Sequence, residues 1–283
     1  MRALVHAAGG GNPEEIIRRK SKALVHAAKR MGWSGPPYNP LELASFRGIR
    51  SQESTGLFSA EAQLTPMEGR QLLLEFNPDR SFGRRNFSIS HEIVHTFFDD
   101  CYDMVHRRRA NPRTFDPQNE VEHLCQVGAA EILMPEEDFA ADIANLPFSM
   151  RSVPELARRY GASREAAARR MLAVSGRTAA LVFFSRRLKP REIRDDQGNA
   201  EPKMRILYVV PSVDFNVFLP PHKSVPNHSC VGVVNEADEV ASARESWDIS
   251  GFGAWQIEAM ALRIPGDAGP NTPSAVALIL PNT

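Results

Sequence analysis

Arg85-Asn86-Phe87-Ser88-Ile89-Ser90-His91-Glu92-Ile93-Val94-His95, running on to Phe97-Phe98, is the stretch on which the reading of the chain turns. Its apolar residues recur with helical period, which predicts a helix over Phe87 to Phe98 whose apolar face is buried. His91 and His95, four residues apart, then lie on one face and direct two imidazoles at one point. An exposed helix that happens to carry two histidines is the plainest alternative. A His-Glu-x-x-His pattern arises by chance in on the order of one chain in a hundred of this length. Phe87, Ile89, Ile93, Val94, Phe97 and Phe98 count against that alternative, because they would bury the helix. Buried histidines and a buried glutamate need partners, and a metal ion supplies them. Zinc accepts neutral imidazole nitrogen in tetrahedral geometry, and a catalytic zinc keeps three protein ligands and one open position. Glu92, on the rim of the same face, is placed to take a proton from an attacking water and pass it to a leaving amine.

A third ligand has to come from elsewhere, since no third histidine follows at short spacing. The next helical pattern, from about Asn119 to Leu133, offers Glu120, Glu122 and Glu131, with His123 as a competitor. Spacing alone does not choose among them.

Two segments, Arg85 to His95 and Glu122-His123-Leu124-Cys125-Gln126-Val127-Gly128-Ala129-Ala130-Glu131-Ile132-Leu133-Met134-Pro135, together resemble the ImmA/IrrE family of metallopeptidases. The likeness extends over roughly Ile16 to Val174. It implies a zincin-like fold, a bound Zn2+, and a third ligand at the Glu four residues before an Asn, which here is Glu122. Gln126 stands where the family usually has that Asn. The resemblance further implies cleavage of helix-turn-helix transcriptional repressors, releasing stress-response or mobile-element genes.

Outward from these motifs the chain reads as a globular protein. Its 283 residues carry 34 Lys plus Arg against 34 Asp plus Glu, a net charge of zero that gives no support for nonspecific attraction to DNA or anionic membranes. The longest apolar runs, such as Ala275 to Leu280, are far short of a membrane helix. Three scattered cysteines suit neither a disulfide framework nor a four-cysteine zinc site, and no signal peptide is legible, so a cytoplasmic location is expected. Arg2 to Ala8 nearly recurs as Lys22 to Ala28, with no further repeat. Pro13 followed by Glu14-Glu15 starts a helix running to Met31-Gly32, and Asn39-Pro40 opens a short one. Ile49 to Phe58 and Gln71 to Phe76 read as strands around a turn at Pro66 to Gly69, and Asp99 to Gln118 as a charged loop.

Val153 to Met171 has the layout helix, Gly-containing turn, helix, with Arg158, Arg159, Arg164, Arg169 and Arg170 within it. The family resemblance implies a helical support with solvated arginines rather than DNA contact, and the zero net charge agrees. Arg107-Arg108-Arg109 reads as a solvated loop, Tyr102 or His106 as a residue able to stabilise an oxyanion, and Cys125 as a small buried hydrophobe. After Gly176 the texture turns to strands, at Ala179 to Ser185, Ile206 to Val210, Val231 to Val234, Ala259 to Ile264 and Ala275 to Leu280. His222, His228 and Cys230 form no regular ligand spacing.

The expectation is an α+β protein: a zinc metallopeptidase domain over 1–150, a helix-turn-helix-like segment over 151–176 and a strand-rich, sensor-like domain over 177–283. His91, His95 and Glu122 bind zinc, Glu92 is general base and then acid, and the partner is a protein substrate. The rivals are a DNA- or protein-binding regulator with a structural zinc and a toxin–antitoxin-like interaction protein.

Overall fold

A computed structural model describes residues 10–57, 60–102, 106–109, 117–189, 201–234, 239–262 and 273–281; the side chains of 60, 99–100, 106–109 and 117–119 lie outside that description, as does the heptad at Arg2 to Ala8. The fold is α+β, with two sheets and two compact units: Met1–Phe139 with Leu156–Ser163, and Ala140–Glu155 with Arg164–Thr283. No described helix is long and apolar enough to cross a membrane.

The first unit opens with α1 (Pro13–Arg30) and α2 (Pro40–Phe46). Each starts as its sequence dictates: Pro at the first helical position, and an Asn whose side chain accepts from the backbone N–H two residues on, Asn12 from Glu14 at 2.8 Å and Asn39 from Leu41 at 3.0 Å. Strands β1 (Arg50–Glu53), β2 (Ala60–Met67), β3 (Gln71–Phe76) and β4 (His106–Arg109) form a sheet in the order β1-β3-β2-β4. β1 runs parallel to β3, and β2 antiparallel to both its neighbours. Period-two alternation buries Leu72, Leu74 and Phe76 of β3, and Leu64 and Ala62 of β2 lie opposite Leu74 and Phe76. Helix α3 (Phe82–His95) packs on β2 and β3 and against α4 (Pro117–Leu133), which also packs on α1.

Three readings of this region are corrected. The strand expected from Ile49 is only β1, Arg50–Glu53. Ala60 to Met67 is a strand that Pro66 disguised as the approach to a turn; Pro66 pairs opposite Leu72, and the turn follows at Glu68–Arg70, where Gly69 has φ 70°. The charged loop Asp99 to Gln118 contains a 3-10 turn, Asp99–Tyr102, and strand β4, so Arg107 to Arg109 lie on a strand beside β2.

Buried polar contacts fix where α3 sits. Ser88 donates to Glu61 of β2 at 3.0 Å, Arg84 pairs with the same carboxylate, and Asn86 donates to the carbonyl of Gly161 at 3.1 Å. Gly128 of α4 has no room for a methyl: a Cβ there would stand 2.8 Å from both Val94 methyls and 2.9 Å from Ser21 Oγ. The missing side chain is what lets α4 approach α1 and α3 so closely.

Helix α5 (Glu136–Ile143) and α6 (Val153–Tyr160) each divide between the two units. The second unit carries α7 (Arg164–Ser175) and the antiparallel sheet β6-β5-β9-β8-β7, from β5 (Ala180–Arg187), β6 (Lys203–Pro211), β7 (Val240–Glu245), β8 (Trp255–Ala261) and β9 (Ala275–Leu280). Its core gathers Val182, Phe184, Trp247, Phe252, Trp255 and Ile257. Strands expected near β5, β6, β8 and β9 are present. Val231 to Val234 is not one: Cys230–Val233 forms a short helical turn, α8, capped by Ser229. β7 went unread.

Arg169 of α7 lies over the rings of Phe183 (4.8 Å) and Tyr208 (5.3 Å), while Tyr208 donates to Glu165 at 2.9 Å. Burial and the neighbouring Glu165 carboxylate hold the Tyr208 phenol well above its ordinary range. Arg170 is buried as well. Two of the five arginines in the helix-turn-helix-like segment are therefore engaged inside the protein.

Candidate metal centre

One helical turn of α3 places the imidazoles of His91 and His95 with ring centroids 5.0 Å apart. Both side chains are buried, and so is Glu92 between them. From α4, Glu122 reaches across: its Oε2 is 3.1 Å from His91 Nε2 and its Oε1 is 3.4 Å from His95 Nε2. Its side chain remains 29% exposed, so the cluster has a solvent-facing side.

The other third-ligand candidates lie elsewhere. Glu120 is exposed. His123 is half exposed and 2.9 Å from Glu14 of α1. Glu131 is buried, where it accepts from the backbone N–H of Glu136 at 3.0 Å and tethers the start of α5. Gln126 faces solvent. Arg70 stacks over the ring of Tyr102 at 4.4 Å, and the backbone of His106 pairs with Leu64, its side chain lying outside the described residues.

Cys125 joins the cluster, which sequence reasoning missed. It is buried as expected of a small hydrophobe, yet its sulfur and one ring nitrogen each from His91 and His95 lie within 4.8 Å of one another. Its i,i+3 spacing from Glu122 was the available signal, since residues three apart on a helix share a face. Among the described residues no other group of three His, Cys, Asp or Glu side chains is gathered in this way, so His222, His228 and Cys230 are not a ligand cluster.

Electrostatics bind the cluster together. Burial pushes the Glu122 carboxyl up, but hydrogen bonds from His91 and His95 outweigh it and hold the group far below the usual carboxylate range. For His95, burial works to lower proton affinity; Cys125, Glu122 and Glu92 more than reverse this, so the imidazole is held well above its ordinary value. Burial raises the Cys125 thiol. Acids crowded on imidazoles favour a positive charge in their midst.

The donor set fits a metal ion. Two nitrogen or oxygen ligands about 2.05 Å from a common tetrahedral ion stand about 3.4 Å apart. The separations of 3.1 and 3.4 Å from Glu122 to the two histidines match that edge.

An apolar sheet covered by a helix that turns two imidazoles toward an acid on the next helix is the architecture of a zincin-like metallopeptidase domain. Residues 52–172 match the family described as IrrE N-terminal-like domain. This match, together with the likeness to the curated relative described next, supports an ImmA/IrrE family metallopeptidase. Over 126 residues it is 29% identical to the radiation response metalloprotease IrrE of Deinococcus deserti, a match that spans 44% of this chain and 43%, less than half, of that protein. A Mycobacterium tuberculosis transcriptional regulator of known structure shares the fold, with a TM-score of 0.55 at 16% identity over 95% of this chain and 81% of its own.

Proposed function

We propose that the chain is a zinc-dependent endopeptidase that cuts a helix-turn-helix transcriptional repressor and so derepresses stress-response or mobile-element genes. The observation that carries the reading is the approach of His91 and His95 to the single carboxylate of Glu122, with Glu92 buried beside them. His91, His95 and Glu122 would hold the zinc. When bound, zinc supplies Lewis acidity toward the scissile carbonyl and the attacking water. Glu92, adjacent to a ligand and on the same helix, takes the proton of that water and delivers it to the leaving amine. Tyr102 or His106 is the residue proposed to steady the oxyanion, and the strand-rich second unit is proposed to receive a signal or recruit the substrate.

The choice of substrate rests on the family and is in keeping with a relative named for the radiation response and a structural neighbour named as a transcriptional regulator. The rival reading of a DNA-binding regulator is weakened by Arg169, which lies over the Phe183 ring, and by Arg170, which is buried. The test mixes the purified chain with the repressor encoded nearby, with and without zinc. One defined cut is expected. Glu92→Gln should keep zinc and fold yet lose cleavage, because an amide cannot accept the proton; cleavage within about tenfold of wild type would sink the general-base role.

A further inference from the structure

We propose that Cys125 is itself a metal ligand, completing a His91, His95, Glu122, Cys125 donor set that closes the resting centre. The inference rests on the metal reading above. Cys125 and Glu122 are three residues apart on α4 and so present their side chains to the same face, the one turned to α3. Glu122 lies within 3.4 Å of both histidine nitrogens, and the Cys125 sulfur lies within 4.8 Å of a nitrogen of each. The two contributions from α4 therefore meet on one shared pair of imidazoles. All three of His91, His95 and Cys125 are buried, so the sulfur meets these rings where water does not compete.

The chemistry follows from ligand count. Three protein donors leave zinc one open position, whereas four make the closed set typical of structural sites. A sulfur donor also favours zinc over magnesium, calcium or manganese, which prefer oxygen. As the sulfur–metal bond forms, the thiol proton passes to solvent; no electron moves. Glu122, partly exposed, is the donor nearer solvent, and Cys125 the one sealed inside. The resting centre thus has no open position, and a bound substrate must displace the sulfur before it is cut.

The experiment loads the full-length chain with cobalt as a spectroscopic stand-in for zinc. Wild type is expected to bind one cobalt per chain and show sulfur-to-cobalt charge-transfer absorption in the near ultraviolet. Cys125→Ser should lose that absorption, while Cys101→Ser and Cys230→Ser keep it. Competition with a chromophoric chelator should find zinc bound more than about tenfold more weakly by Cys125→Ala, the least that loss of even an outer-shell partner commonly costs. Cobalt bound by wild type without the absorption, or absorption that survives in Cys125→Ser, overturns the proposal while leaving the metal reading intact. Failure of wild type to bind cobalt overturns both. Because the wild-type spectrum alone can refute the idea, a variant that fails to fold does not protect it.

Discussion

Glu122 Oε2 lies 3.1 Å from His91 Nε2, although the two residues are 31 positions apart and sit on different helices. α3 is pinned to β2 through Glu61, and α4 comes close to α3 at Gly128. The predictions follow from the contact and from what holds it.

The first concerns the donors themselves. Purified protein is expected to hold about one zinc per chain, as a three- or four-ligand site implies. His91→Ala, His95→Ala and Glu122→Ala should each lower that occupancy, read by atomic absorption after dialysis. Glu120→Ala and His123→Ala should not, since the first faces solvent and the second pairs with Glu14. Full zinc in Glu122→Ala with loss in either of the others would remove Glu122 from the site.

Gly128 supplies a prediction at one remove from the metal. A methyl there would meet Val94 and Ser21, both fully buried, inside 3.0 Å. Overpacking of this kind costs about 1–3 kcal/mol, against a gain of roughly 1 kcal/mol from replacing glycine in a helix. Gly128→Ala should therefore lower the melting temperature and, by pushing α4 away from α3, weaken zinc binding. Adding Val94→Ala should restore part of both. Unchanged zinc affinity in Gly128→Ala would show that the helix spacing does not set the donor geometry.

A polar tie outside the site carries a pH signature. Asp138 accepts from Lys29 at 2.6 Å and from Tyr38 at 2.5 Å. Burial pushes the Asp138 carboxyl up, but the bonds from Lys29 and Tyr38 outweigh it and hold the group below its usual value. Burial tends to lower Lys29, and its bonds to Asp138 and Tyr38 raise it above the ordinary range. A depressed carboxyl contributes stability that is fully present above its unfolded value of about 3.9 and is lost as pH falls through the lower folded value. The raised lysine contributes stability present below about pH 10.4 and lost as pH climbs through its folded value. Asp138→Asn should thus cost about 1 kcal/mol at pH 7 after solvent screening. The gap from wild type should shrink as pH drops below the carboxyl's unfolded value. Denaturant melts at pH 7 and pH 3 decide it, and an equal gap at both would show that ionisation of Asp138 contributes nothing.

How much of this was legible depended on whether the signal was local. His91, Glu92 and His95 announce themselves because one helical turn brings them together, and the strands Gln71 to Phe76 and Ala275 to Leu280 are found within the limits read for them. Glu122 was different. Four residues on α4 fitted the spacing, and the family resemblance rather than geometry pointed to Glu122. Ala60 to Met67 alternates small or apolar with polar residues as a strand should, but Pro66 carries the louder turn signal. Val231 to Val234 is apolar enough for a strand, yet Ser229 caps it as a helical turn. Cys125 stands next to the ligand face in the sequence as well, but buriedness and small size suit a packing cysteine equally, and its i,i+3 spacing from Glu122 carries weight only once Glu122 is placed on the two histidines.

The last prediction concerns the proposed division of labour along the chain. All the donors and Glu92 lie in the first unit, whose final segment is Leu156–Ser163. A chain ending at Ser163 should therefore still bind zinc. It does so at a cost to the residues before it, because Ser149 Oγ and the backbone N–H of Met150 lose Glu258, their acceptor at 2.6 and 2.8 Å. A chain ending at Arg177 should also bind zinc, but it carries α7 without the sheet. The buried face of that helix, including Ala167, Ala168, Met171 and Leu172, would be exposed, and Arg169 would lose Phe183 and Tyr208. The longer truncation is thus expected to be the less soluble of the two, despite retaining more of the chain. Zinc content, soluble yield and circular dichroism of the two truncated chains check this. If neither holds zinc, the first unit does not fold alone, and the strand-rich part is a structural requirement of the metal centre rather than a separable sensor.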